Sequence, residues 1–292
     1  MKNHRSLSRL LSRAGLLAAL ISLGSASLSA TVLMFDFGTA TAAGADLTNS
    51  PLHAADGSFT DTSWNSINST TTGAKTGFVY SDGTDATGVS LHVGRSSNNP
   101  WTTLTFAGGP TNVTSTSNPA SLDGVFTNST SIGRDGHYAA YASGTGDPAL
   151  TRIMGVSVAG LGAGTYDVYL VGLNPNLALA EAAGMGFWAV ELADTANYDA
   201  TALVSGGPQA VSTNSIGASW VEGDNYAKLT FTKTSADSYL TFLAVGQTEA
   251  ETRGFINAIQ IVAVPEPASA SLLMALVAAV GMATMRRRGY GV

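Results

Sequence analysis

The sequence predicts an all-β fold, a β-sandwich with long loops carried between two targeting segments. Three observations predict it. Short apolar runs alternate with polar or small residues, clusters of Gly, Asn, Asp, Ser and Thr separate those runs, and helical periodicity is almost absent. The composition agrees, with 45% hydrophobic and 12% charged residues and 33 glycines in 292 positions. Nine Tyr, ten Phe and four Trp argue for a packed interior rather than disorder.

From the N-terminus, Lys2, Arg5, Arg9 and Arg13 form a basic start, 14–23 an apolar stretch and 24–30 a run rich in small residues. That order is a signal peptide over residues 1–30, cut by signal peptidase after Ala26 or Ala30. Ten apolar residues are too few to span a bilayer comfortably. Strand-like runs follow at 32–37, 91–93, 102–106, 153–158, 166–171, 187–192, 228–231, 239–245 and 255–262. The glycine-rich link holding Gly160, Gly162 and Gly164 reads as the turn of a hairpin between its flanking runs. A nucleotide fingerprint would need a helix after those glycines, where this chain has a strand pattern. One helix-like patch lies at 177–183, and the polar stretches 45–76 and 111–130 read as long loops. No internal repeat of fixed period is present.

At the C-terminus, 268–285 carries no charge. As a helix it would reach about 27 Å, close to the roughly 30 Å of a hydrocarbon core. Pro267 suits a first helical position and Glu266 sits at the positive end of the helix dipole. Arg286, Arg287 and Arg288 then stop the span and place the C-terminus in the cytoplasm, with the body on the other side. An ordinary single-pass anchor shares this hydropathy. The organisation is therefore 1–30 signal peptide, 31–263 ectodomain and 264–292 tail with a transmembrane helix over 268–285.

Val264, Pro265, Glu266 and Pro267, directly before the span and the three arginines, resemble the PEP-CTERM sorting signal of Gram-negative bacteria. A Gram-positive sortase signal would need a Leu-Pro-x-Thr-Gly motif, which is absent. The resemblance implies an exosortase-type processing enzyme as partner and a transient inner-membrane anchor. It further implies a destination at the cell surface or in the extracellular matrix, in the company of exopolysaccharide and biofilm machinery. The stretches 32–38, 164–170 and 254–262 are similar to the first, central and last strands of exported proteins with such tails. Those bodies are jelly-roll sandwiches of the galactose-binding or malectin-like type, which implies that fold and contact with carbohydrate.

Charge and composition narrow the chemistry. Four of the 14 basic residues lie in the leader and three in the tail, leaving the body seven against 19 acids, a net of −12. Such a body repels phosphate backbones and anionic membranes, which argues against nucleic acid as a partner. The absence of cysteine excludes thiol catalysis, Cys-ligated zinc and disulfides. His53, His92 and His137 are dispersed, with no close ligand spacing, and no Gly-x-Ser-x-Gly nucleophile elbow occurs. Asp135 and His137 form the nearest approach to a polar cluster. Asp82 and Asp85, with Asp56 and Asp61 nearby, are calcium candidates that serve equally as Asx-turn residues.

Trp64, Trp101 and Trp220 lie in or beside polar stretches, where a ring wet on one face can stack on a sugar or else anchor its loop. Trp188 sits in a strand pattern and belongs to the core. The leading expectation is a non-enzymatic surface or matrix protein that contacts exopolysaccharide, without a resident cofactor unless calcium binds. Two alternatives stay open. One is an extracellular glycan hydrolase using paired carboxylates, and the other is a purely structural envelope protein.

Overall fold

A computed structural model of the chain describes residues 31–38, 47–97, 102–113, 124–126, 132–139, 152–174, 184–195, 197–247 and 253–265. Each strand run expected from the alternation contains a strand, but the run 255–262 breaks at Asn257 into two that join different sheets. In order the strands are β1 (Val32–Phe37), β2 (Asn65–Ile67), β3 (Ser90–Ser96), β4 (Thr103–Thr105), β5 (Thr111–Val113), β6 (Gly136–Tyr138), β7 (Met154–Ala159) and β8 (Gly164–Val171). There follow β9 (Met185–Leu192), β10 (Tyr198–Asp199), β11 (Ala210–Ser212), β12 (Ala227–Lys233), β13 (Tyr239–Gly246), β14 (Phe255–Ile256) and β15 (Ala258–Ala263). Among the described residues helix is confined to α1 (Pro51–Ala55), α2 (Thr201–Gly206) and the 3-10 turn Gly124–Phe126. None of these is long and apolar enough to cross a membrane. The expected leader 1–30, the patch 177–183 and the span 268–285 lie outside the described residues.

Two large sheets result, a five-stranded one in the order β12-β8-β15-β1-β2 and a seven-stranded one in the order β10-β4-β3-β7-β13-β9-β11. Pairing is antiparallel except between β1 and β2. A small third sheet joins β14, β6 and β5. The large sheets share one core: Phe35, Leu170 and Ile259 from the first pack in the same cluster as Val156, Phe187 and Phe242 from the second. On β12 the alternation is visible, Ala227 and Leu229 being buried while Thr230 and Thr232 are exposed. On β1 all six residues are buried, because the five-stranded sheet is covered on its outer face as well.

The hairpin expected across Gly160–Gly164 does not form. β7 lies in the seven-stranded sheet between β3 and β13, whereas β8 lies in the five-stranded sheet between β12 and β15. The link crosses from one sheet to the other, and glycine is what lets it turn that corner. Gly160 has φ +79, and a Cβ there would stand 2.2 Å from the carbonyl oxygen of Gly88.

The stretch 45–76 also departs from its reading as a simple loop. It contains α1 and β2, and its Leu47, Leu52, Phe59 and Trp64 pack with Trp220 over the outer face of the five-stranded sheet. Asn65 locks the segment down: its Nδ2 donates to the carbonyls of Met34 at 3.1 Å and Val79 at 2.8 Å, and its Oδ1 accepts from Val79 N at 2.9 Å. A second cover, with Trp188, Leu104 and Leu243, lies on the outside of the seven-stranded sheet.

Thr31–Val264 forms one unit. Its two ends lie side by side, with Ala263 N donating to Thr31 O at 3.0 Å. Val264 N donates to Thr165 O at 2.9 Å, so the last sheet continues into the first residue of the expected sorting motif.

Candidate functional site

Of the tryptophans proposed from the sequence, the two that are described, Trp64 and Trp220, donate to their own chain. Trp220 is only 9% exposed; its Nε1 donates to Asn49 Oδ1 at 2.8 Å, and its ring meets Phe126 edge-on at 5.2 Å. It has no wet face, because the polar residues after it build a turn that folds it inward. Asn225 Oδ1 accepts from Val221 N at 2.9 Å while Nδ2 donates to Ser219 O at 2.8 Å. Trp64 is half-buried and its Nε1 donates to Leu47 O at 3.0 Å. Trp101 lies outside the described residues. Trp188 is buried as expected, with Nε1 donating to Gly207 O at 2.9 Å.

The aspartates behave as turn residues. Asp82 Oδ1 accepts from Thr84 N at 2.9 Å and from Thr84 Oγ1 at 2.6 Å, and these bonds hold its carboxyl below the usual carboxylate range. Asp56 is bonded in the same way by Ser58, and Asp61 Oδ2 accepts from Ser81 Oγ at 2.7 Å. Asp85 is exposed. Among the described residues no group of three or more His, Asp or Glu side chains is placed to hold a metal.

One arrangement looks catalytic at first sight. Ser50 Oγ lies 2.6 Å from His53 Nδ1, and His53 Nε2 lies 2.8 Å from Asp61 O. The carbonyl accepts, so Nε2 carries the proton, Nδ1 accepts, and Ser50 Oγ donates to it. A substrate, however, cannot reach the hydroxyl. Ser50 is fully buried and its oxygen already accepts from Gln260 Nε2 at 2.9 Å. The trio fixes α1 to β15, where Gln260 Oε1 also accepts from Leu52 N at 2.9 Å.

Asp135 and His137 are buried too. The His137 ring stands edge-on to Phe37 at 5.5 Å with neither nitrogen hydrogen-bonded, and burial, with a smaller push from Lys75, lowers its pKa to about 3. On β1 the Asp36 carboxyl is pushed well above the carboxylate range by burial and by Asp135. The bond it accepts from Gly133 N at 3.1 Å opposes that shift. These groups are sealed inside the fold, away from any ligand.

One opening was not legible in the sequence. It is a cleft of about 180 Å³ at the edge where the two ends of the sandwich meet, lined by Leu33, Leu161, Ile261, Tyr80 and Tyr166 among others. Tyr166 Oη donates to Gly162 O at 2.8 Å. Burial raises the Tyr166 pKa, and the neighbouring Tyr80 adds to the shift. No local pattern marks the cleft, since its residues come from four separate stretches of chain.

These features define an all-β protein whose two large sheets share one core. No family model matches the chain, and no curated protein matches it. Among solved structures, a xylan-binding module, CBM15, is similar over 54% of this chain and 99% of its own, at 13% identity and a TM-score of 0.22. A superposition that loose identifies neither a fold family nor a ligand.

Proposed function

We propose that this chain is an exported, non-enzymatic β-sandwich protein, sorted through its C-terminal tail by an exosortase-type system and held at the cell surface or in the extracellular matrix, where it contacts polysaccharide. One observation carries the sorting half. Among the described residues Val264 is the last one bonded to the sheet, and Pro265, Glu266 and Pro267 follow it directly in the sequence. A removable module needs that layout, a finished domain followed at once by motif, span and basic stop.

The jelly-roll reading is supported by the nesting of strand pairs. β1 pairs with β15, β8 with β12 and β9 with β11, while β3 and β13 complete the nest on the two sides of β7. A long antiparallel ribbon rolled on itself produces that order, here with β7 inserted.

The test has two arms. Expression with and without an exosortase-type enzyme should convert the precursor to a shorter, released form only in its presence; an unchanged precursor in both would remove the sorting proposal. Retention of the full-length chain on a panel of insoluble polysaccharides, with and without calcium, tests the contact, and no retention on any would leave a structural envelope protein.

A further inference from the structure

We propose that the cleft between Tyr80 and Tyr166 holds one neutral sugar ring of a polysaccharide chain, an assignment that rests on the polysaccharide contact proposed above. Its chemistry is amphipathic in the way a pyranose is. Leu33, Leu161 and Ile261 make part of its lining apolar, which matches the C–H face of a ring. Half-buried Tyr80 presents an aromatic side, and the exposed Thr31 supplies a hydroxyl at the rim.

Hydrogen-bonding capacity is available there. Among the described residues nothing bonds to the Tyr80 hydroxyl, while Tyr166 Oη, having donated to Gly162 O, keeps its lone pairs.

Charge decides between neutral and ionic occupants. In the full-length chain none of the lining side chains carries a charge, so they offer a phosphate, uronate or ammonium no counter-ion, and the Lys233 ammonium that bonds the Leu161 carbonyl is shared with Ser235 O. The body's net charge of −12 repels polyanions further. At about 180 Å³ the space suits a single ring rather than a peptide segment.

Gly162 keeps the mouth open. It is exposed, and a Cβ built there would have only Tyr166 Oη near it, at 3.9 Å. A side chain at 162, a position that lines the cleft, therefore starts in open space and meets no core atom.

The experiment measures retention of the full-length chain, in mild detergent, on immobilised xylan, mannan, β-glucan and galactan, with alginate as the anionic comparison. Gly162→Phe and Tyr80→Ala are tested beside the wild type, with thermal melts of all three. The expected result is retention of the wild type on a neutral polysaccharide, at least about tenfold weaker for both variants, with the Gly162→Phe melt unchanged. Equal retention of wild type and Gly162→Phe overturns this site while leaving polysaccharide contact standing. Preference for alginate overturns the neutral specificity. Failure of the wild type on every support removes the polysaccharide reading and the site with it.

Discussion

His137 is fully buried with its ring against Phe37 and its nitrogens unbonded, so the folded protein resists protonating it down to a pKa of about 3. The unfolded chain takes up that proton near pH 6.5, and stability is therefore lost as the pH falls from about 6.5 toward about 3. A shift of that size corresponds to roughly 4–5 kcal/mol across the window. His137→Leu removes the titration: the drop in Tm between pH 7 and pH 4 should be smaller than in the wild type, and equal drops would refute the assignment. Asp36 works in the opposite direction. Its folded pKa is raised, so its contribution is complete below about pH 3.9 and is lost as the pH rises through the folded value. Asp36→Asn keeps an acceptor for Gly133 N and cannot ionise. It should raise Tm at pH 7, with the gain vanishing as the pH approaches 4. Trp220 gives a third residue-scale outcome. Because it is buried against Phe126, Trp220→Ala should cost about 3–5 kcal/mol in denaturant unfolding, and a change under 1 kcal/mol would mean that the ring is not packed as described.

Strand joints matter at the next scale, and the clearest is the one that fastens the β12–β13 turn. Lys233, 1% exposed at the end of β12, donates from Nζ to Leu161 O at 3.0 Å in the β7–β8 link and also to Ser235 O. Glu191 on β9 holds the other side, accepting from Thr234 N at 2.8 Å, Thr234 Oγ1 at 2.7 Å and Ser235 N at 2.8 Å, and from Ser238 Oγ. One charged side chain from each large sheet thus grips the same turn. Those donors, led by the Ser238 hydroxyl, pull the Glu191 pKa down to about 2. A depressed acid stabilises the fold above its unfolded pKa and loses that contribution as the pH falls through the folded one. Glu191→Gln should accordingly lower Tm at pH 7, with the two proteins converging as the pH falls toward about 2. Lys233→Met leaves two carbonyls without their donor and should cost about 1–3 kcal/mol. Faster proteolysis within 233–238 should accompany it, and a variant as stable and as resistant as the wild type would show the clasp to be incidental.

At the scale of the whole molecule, what the sequence made legible was local. A two-residue period shows in any half-buried strand, which is why β12 and its like could be read directly. The crossing of Gly160–Gly164 could not, because a glycine-rich link has the same composition whether its strands pair or part company. The covering role of 45–76 depends on Asn65 reaching Met34, and the burial of Trp220 on Asn49, a residue 171 positions away. Nothing in a short window encodes such partners. The same holds for the cleft, assembled from Thr31, Tyr80, Tyr166 and Ile261. The expected leader and tail lie outside the described residues and rest on charge and apolar length alone, which act locally. The body's ends lie together at Thr31 and Ala263. The positive-inside rule then makes a definite topological prediction for the intact precursor. Protease added from the periplasmic side should digest exposed loops of the body and leave a tag placed after Val292 protected, if Arg286, Arg287 and Arg288 hold that end in the cytoplasm as proposed. Replacing the three arginines with Ser should expose the tag or release the protein from the membrane. A tag already accessible in the wild-type precursor would overturn the proposed topology, and with it the proposed route to the cell surface.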